Sequence, residues 1–168
     1  MMMTISPGST IRATADLCDD YGDQLQIAQP VWRSYGALTI FGGCIHTVQV
    51  FKDNVLVRRQ LEQSVSEGVL VVDGGGSLEC ALVGDQLAGL AVENGWQGIV
   101  LNGCIRDAAA IAALPIGIRA LNTHPLKSGK RGLGQADLPV TFAGVTFRPG
   151  EFLYADADGL VVSPVRLP

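Results

Sequence analysis

A chain of 168 residues is long enough for one domain, residues 1–168, with a sizeable core. Only 17% of its residues are charged, against about 25% in a typical soluble domain, while 48% are hydrophobic and mean hydropathy is +0.30. Net charge is -4 and the twelve Lys and Arg residues are scattered, which argues against direct nucleic-acid binding, since that needs a clustered basic face.

The shortage of charge predicts that a second subunit covers apolar surface, so a homo-oligomer is expected. An anionic substrate would need local positive charge, because the whole-molecule field does not attract it. Cys18, Cys44, Cys80 and Cys104 stand singly, without a C-x-x-C pair, and read as reduced thiols in the cytoplasm. Residues 1–12 lack a sustained apolar stretch, so no secretory signal is expected. No apolar run approaches about 20 residues, so no membrane span is expected either.

In chain order, Thr14 suits the N-cap of a helix over residues 15–21. Gln29-Pro30 marks extended chain, because the residue before proline avoids the helical region. Residues 38–51 read as β, with Gly42-Gly43 as a bulge or turn. Residues 54–63 read as a helix capped by Asp53 or Asn54. Residues 69–72 form a short, wholly apolar strand of the kind buried on both faces.

Asp73-Gly74-Gly75-Gly76 leaves that strand, and Ser77 can cap a helical turn over residues 78–83. Gly84 interrupts the turn, and residues 85–93 continue it to a stop at Asn94-Gly95. Residues 98–101 are the next strand, residues 107–114 a short Ala-rich helix and residues 116–121 another strand. A basic, glycine-rich loop spans residues 127–132, and the rest is strand-like with three glycine turns. The centre is β-α-β in style and both ends are β-rich, which makes one α/β domain with mixed sheets the economical reading.

Three places carry candidate chemistry. The triple glycine is no P-loop, because no G-K-[ST] follows, and it lacks the G-x-G-x-x-G dinucleotide spacing. It is either a plain tight turn or a close backbone approach to a ligand. At Gly84, Asp85, Gln86 and Leu87 a helix restart would leave backbone amides free at a positive dipole end, a ready site for a carboxylate or phosphate. Alternatively Asp85 only caps the second helix. Arg106-Asp107 follows a buried strand; an arginine can hold a carboxylate in two parallel bonds, and an aspartate can hold a hard divalent ion with water. A local cap with surface charge is the bland alternative. His46 and His124 are isolated, which speaks against a zinc site. Lys127, Lys130 and Arg131 could meet an anion, but such a loop is more often solvated.

The residues DLCDDYGDQL, TVQVFKDNVLVRRQL, VLVVDGGGSLECALVGDQLAGLAVENGW, GCIRD, THPLKSGKRGLG and GVTFRPGEFLYADADGLVV together cover nearly the whole chain. In these motifs the sequence resembles the regulator of ribonuclease activity A (RraA) family, which includes the class II 4-hydroxy-4-methyl-2-oxoglutarate aldolases. Aldolase-type members carry an aspartate, twenty residues, then Arg-Asp, and Asp85, Arg106 and Asp107 match that pattern.

The resemblance implies backbone binding of substrate by Gly84, Asp85, Gln86 and Leu87, side-chain binding by Arg106, and a metal on Asp107. Arg106 and Asp85 become the candidate catalytic residues. It also implies a divalent cation, Mg²⁺ or Mn²⁺, a small 2-keto acid substrate, pyruvate as product, and oxaloacetate decarboxylation as a second activity. Many aldolase-type members add an acid three residues after the last aspartate, where this chain has Ala110.

The implied fold is a three-layer β/β/α sandwich resembling the phosphohistidine swivelling domain, assembled as a homotrimer, with pairing into hexamers left open. Some members have been labelled menaquinone methyltransferases, but no nucleotide fingerprint with its downstream acid is present here. The alternative function is that of a protein-binding regulator that inhibits an RNase E-type endoribonuclease.

Overall fold

The computed structural model of the chain describes residues 2–6 and 9–168. It begins with a hairpin of β1 (Met2–Ser6) and β2 (Ser9–Arg12), followed by α1 (Thr14–Tyr21). β3 (Gln26–Ile27), β4 (Arg33–Tyr35), β5 (Phe41–Gln49), α2 (Val55–Leu61) and β6 (Gly68–Asp73) come next. The centre supplies β7 (Ala81–Val83), α3 (Asp85–Glu93), β8 (Trp96–Asn102), β9 (Cys104–Ile105), α4 (Ala108–Ile111) and β10 (Gly117–Ala120). The last part adds β11 (Asn122–Thr123), β12 (Gln135–Ala136), β13 (Val140–Phe142), β14 (Val145–Phe147), β15 (Phe152–Ala155) and β16 (Leu160–Ser163).

The main sheet runs β3-β16-β15-β5-β6-β8-β10-β4, with β12 also on β5. Its centre, β5, β6, β8 and β10, is parallel, and its flanks are antiparallel. Parallel strands need crossovers, and α2 and α3 are the helices in the first two of them. A small parallel sheet, β11-β9-β7, stands beside the main one, and β13 and β14 form a hairpin.

Side-chain alternation along β6 explains the layers. Leu70 and Val72 face a core shared with Val57 and Leu61 of α2 and with Leu87, Ala88 and Ala91 of α3. Val69 and Val71 face the opposite core, with Phe142, Val145 and Phe147 of the hairpin. Hairpin, main sheet and helices are thus three layers, β/β/α, and the α/β expectation holds. Each fully buried Leu or Phe contributes roughly 1.5–3 kcal/mol by leaving water.

Gly42 and Gly43 form no bulge: β5 pairs with β15 in unbroken register through both. They are glycine because of crowding. A Cβ on Gly42 would lie 2.7 Å from the Leu153 carbonyl oxygen, and one on Gly43 would run into that of Glu67. Residues 78–83 also differ from the helical expectation. Their second half is β7, between β9 and Lys127, with Ala81 N–H donating to the Leu126 carbonyl at 2.8 Å. A short apolar run such as CALV has no periodicity to separate strand from buried helix, and tertiary pairing decides it.

The caps are also reassigned. Thr14 is the first residue of α1 rather than its cap, and its N–H and hydroxyl both donate to the Asp156 carboxylate at 2.7 Å. Asp53, not Asn54, accepts from the start of α2, through Val55 N–H at 3.1 Å. Buried Arg119 ties β10 to β4 through Ser34 Oγ and to the 156–159 turn through the Asp156 carbonyl. Burial pulls its pKa below the ordinary value. All four cysteines are free, and burial pushes the Cys80 and Cys104 thiols up.

Candidate active site

β7 and β9 pair in parallel, so the two chain segments that leave them emerge side by side. After β7 come Gly84 and the first turn of α3; after β9 come Arg106 and Asp107. Arg106 N–H donates to the Val83 carbonyl at 2.9 Å, which fixes the second exit against the first. The juncture leaves no room for a side chain at position 84: a Cβ there would lie 2.7 Å from Asp107 Oδ2 and 3.4 Å from Arg106 Cγ. Gly84 is therefore the N-cap of α3, where the chain turns from β7 into the helix, rather than an interruption within a helix.

A helix N-terminus presents orphan N–H groups. No side chain next to Gly84 caps this one. The cap comes from across the chain, where Asp85 N–H donates to Asp107 Oδ2 at 3.1 Å. Asp107 holds that position with φ of 58°, a left-handed conformation tolerated better by aspartate than by most residues. Its carboxylate is thus part of the helix terminus, and the first intrahelical bond, Ala88 N–H to the Gly84 carbonyl, begins beyond it. The Gln86 and Leu87 amides lie between these two bonds, at the positive end of the α3 dipole.

These residues line a cavity of about 240 Å³ together with Asn54, Arg58, Lys127, Ser128 and Lys130. All the predicted site residues, Gly84, Asp85, Gln86, Leu87, Arg106 and Asp107, are brought together there. Asp85, Gln86 and Asp107 are exposed, Gly84 and Arg106 half-buried, and Leu87 buried. Arg106 forms no ion pair among the described residues, so its guanidinium is open to an incoming carboxylate.

The sequence reading missed the opposite wall. Lys127 and Lys130 belong to the loop read as solvated, and they border the cavity while staying exposed. The loop is held by Asp53, whose carboxylate accepts from Arg131 and Gly132 N–H, and by Ala81 pairing with Lys127. The signal was the clustering of Lys127, Lys130 and Arg131, but no local spacing links them to Arg106.

The triple glycine lies elsewhere. Asp73 Oδ1 accepts from Gly75 N–H and from Asn102 Nδ2, closing a tight turn. Gly75 and Gly76 have φ of +67° and +73°, a conformation that the tight turn requires and that favours glycine. Among the described residues no group of three or more His, Cys, Asp and Glu could enclose a metal. A cation here would have few protein ligands and would keep most of its water, as hard divalent ions do. Asp107 suits that role chemically, with one carboxylate oxygen held by Asp85 N–H and the side chain exposed at the cavity.

The two strand exits thus bring an arginine, an aspartate and the N-terminus of α3 together in one cavity of a β/β/α sandwich, a set of groups whose chemistry suits an anion. The sequence pattern of the RraA-like family (Aldolase/RraA) matches residues 14–162, and the chain belongs to that family. A protein of Laribacter hongkongensis (strain HLHK9), provisionally named a 4-hydroxy-4-methyl-2-oxoglutarate aldolase, is 59% identical over 90% of this chain and 95% of its own. The solved structure of the RNA-processing inhibitor RraA from Thermus thermophilis superposes with a TM-score of 0.91 at 43% identity, covering 94% of this chain and 96% of that one. A structure from Geobacillus kaustophilus HTA426, described as an S-adenosylmethionine:2-dimethylmenaquinone methyltransferase, matches with a TM-score of 0.91 at 51% identity. It covers 93% of this chain and 97% of its own.

Proposed function

We propose that this chain is a divalent-metal-dependent class II aldolase that cleaves 4-hydroxy-4-methyl-2-oxoglutarate to two molecules of pyruvate, with oxaloacetate decarboxylation as a second activity. The observation that carries this reading is the meeting of Arg106 and Asp107 with the N-terminus of α3 in one cavity. The name of the Laribacter hongkongensis relative points the same way.

The Gln86 and Leu87 amides, aided by the helix dipole, receive the carboxylate of the 2-keto acid. Arg106 faces the same anion and stabilises the negative charge that grows on the keto oxygen as the C3–C4 bond breaks. The electron pair of that bond becomes the enolate, and the proton of the 4-hydroxyl passes to Asp85 or to a water that Asp85 orients. Protonation of the enolate carbon then yields the second pyruvate. Asp107 would hold Mg²⁺ or Mn²⁺ largely through water, and the ion when bound supplies Lewis-acid stabilisation of the same charge. Loss of carbon dioxide from oxaloacetate generates the same enolate, so one set of residues serves both reactions.

A homotrimer in the cytoplasm is part of the proposal, and pairing of trimers into hexamers is a further question of solution size. Exposed Phe51, Leu78, Leu126 and Leu133 and the low charge content support association. Among the described residues no helix is long and apolar enough to cross a membrane.

The test is a coupled pyruvate assay on the purified chain with both keto acids, with and without metal. Metal-dependent pyruvate release supports the proposal, and none from either substrate rejects it. A second reading, a regulator that binds an endoribonuclease, is favoured by the close likeness to the Thermus thermophilis inhibitor. A pull-down with an RNase E-type enzyme tests it.

A further inference from the structure

We infer that Asp53 is a positioning residue for the candidate site. Its buried carboxylate pins the 126–132 segment as one wall of the cavity and so sets where Lys127, Ser128 and Lys130 stand against Arg106 and Asp107. Asp53 is not among the residues that line the cavity; its carboxylate accepts from main-chain N–H groups, those of Arg131 and Gly132 in the loop and Val55 at the start of α2.

Asp53 is 2% exposed, an unusual place for an acid. It forms no ion pair among the described residues, and backbone donors replace the missing cation. Arg131 N–H donates to Oδ2 at 2.5 Å, Gly132 N–H to Oδ2 at 3.1 Å and to Oδ1 at 3.3 Å, and Val55 N–H to Oδ1 at 3.1 Å. Burial alone would raise this carboxyl; the N–H groups of Val55, Arg131, Leu133 and Gly132 outweigh it and hold it below the usual range.

The bonds beside it run between the same two segments. Asn54 N–H donates to the Gly129 carbonyl at 3.2 Å, and Gly129 N–H to the Lys52 carbonyl at 2.8 Å. One buried acid thus joins the start of α2 to a loop 78 residues further along the chain. Convergent donors require an acceptor on both oxygens. Asparagine keeps the size but turns one oxygen into an NH₂ donor, which opposes N–H groups already aimed at it.

The kinetic part of the test rests on the aldolase reading; the structural part does not. With the full chain loaded with Mg²⁺ and oxaloacetate as substrate, Asp53→Asn is expected to raise KM by about 10-fold or more while kcat changes less, because displaced lysines weaken anion binding. Trypsin should also cleave after Lys127, Lys130 or Arg131 faster than in the unaltered protein, as read by mass spectrometry. Arg131→Ala, which keeps its backbone N–H, should leave KM unchanged.

Gly132→Ala strains the same anchor at φ of +78° and should repeat the KM rise, which keeps the test open if Asp53→Asn fails to fold. Wild-type KM and tryptic rate in Asp53→Asn, or wild-type KM in Gly132→Ala, would overturn the inference. So would a lower kcat and melting temperature with KM unchanged, the mark of general destabilisation. If the unaltered protein forms no pyruvate, the aldolase reading fails, and the tryptic comparison still decides the role of Asp53.

Discussion

Asp85 N–H donates to Asp107 Oδ2 at 3.1 Å, so the carboxylate that follows β9 caps the helix that follows β7. This bond makes the two halves of the candidate site a single object. The Arg106–Asp107 exit cannot shift without uncapping α3, and the first turn of α3 cannot shift without releasing Asp107.

Gly84→Ala tests that coupling. The added Cβ would stand 2.7 Å from Asp107 Oδ2, so the carboxylate must move by several tenths of an ångström. A displacement approaching 1 Å at a reacting centre can cost about 10²-fold, and pyruvate formation should fall by an amount of that order. Circular dichroism should remain that of the parent, because Gly84 has a negative φ of -120° that alanine adopts freely.

Arg106→Ala removes the cation that the proposed mechanism turns toward the substrate. Loss of a preformed charge-stabilising donor lowers kcat by roughly 10²–10³-fold, and steady-state kinetics should show at least that. The melting temperature should hardly change, because the side chain makes no ion pair among the described residues and its backbone bond to Val83 is retained. Near-normal turnover would remove Arg106 from the chemistry.

Chelation with EDTA should abolish pyruvate formation, and added Mg²⁺ or Mn²⁺ should restore it. Full activity in chelator would sink the metal-dependent mechanism. Ala110 is exposed on α4, at the position where the resemblance to aldolase-type members leads one to expect an acid. Ala110→Glu should therefore lower the half-saturating metal concentration by about 10-fold, the scale on which outer partners tune metal sites.

His46 provides a pH prediction away from the site. Its ring meets Trp96 edge-on with centroids 4.9 Å apart, and burial pulls its pKa below 6.5, with Asp137 opposing the shift. A base whose folded pKa is depressed leaves the unfolded chain holding more protons. Its contribution is complete above pH 6.5 and is lost as pH falls toward the folded pKa. The melting temperature should drop from pH 7.5 to pH 5 less steeply in His46→Gln than in the parent. An NMR titration midpoint for His46 at or above the ordinary value would contradict this.

Local chemistry alone determined much of this protein. The wholly apolar stretch around Val69 announces a two-face-buried strand, and residues 85–93 read as helical, although as a helix that Gly84 interrupts rather than one that begins there. Motifs spread over the chain identify the family and, through the spacing of Asp85, Arg106 and Asp107, the candidate residues. These signals are readable because they depend on neighbours in sequence or on residue types in fixed register. Tertiary structure decided the rest. It made CALV a strand, because pairing with β9 and Lys127 outweighs any local preference of a short apolar run. It kept Gly42 and Gly43 in straight β-chain, because Leu153 and Glu67 carbonyls press on them from distant segments. It moved the cap of α1 to Asp156 and that of α3 to Asp107, and it carried Lys127 and Lys130 to the cavity through the hold of Asp53. Each of these outcomes is a contact between residues far apart in the chain, and such contacts have no local signature.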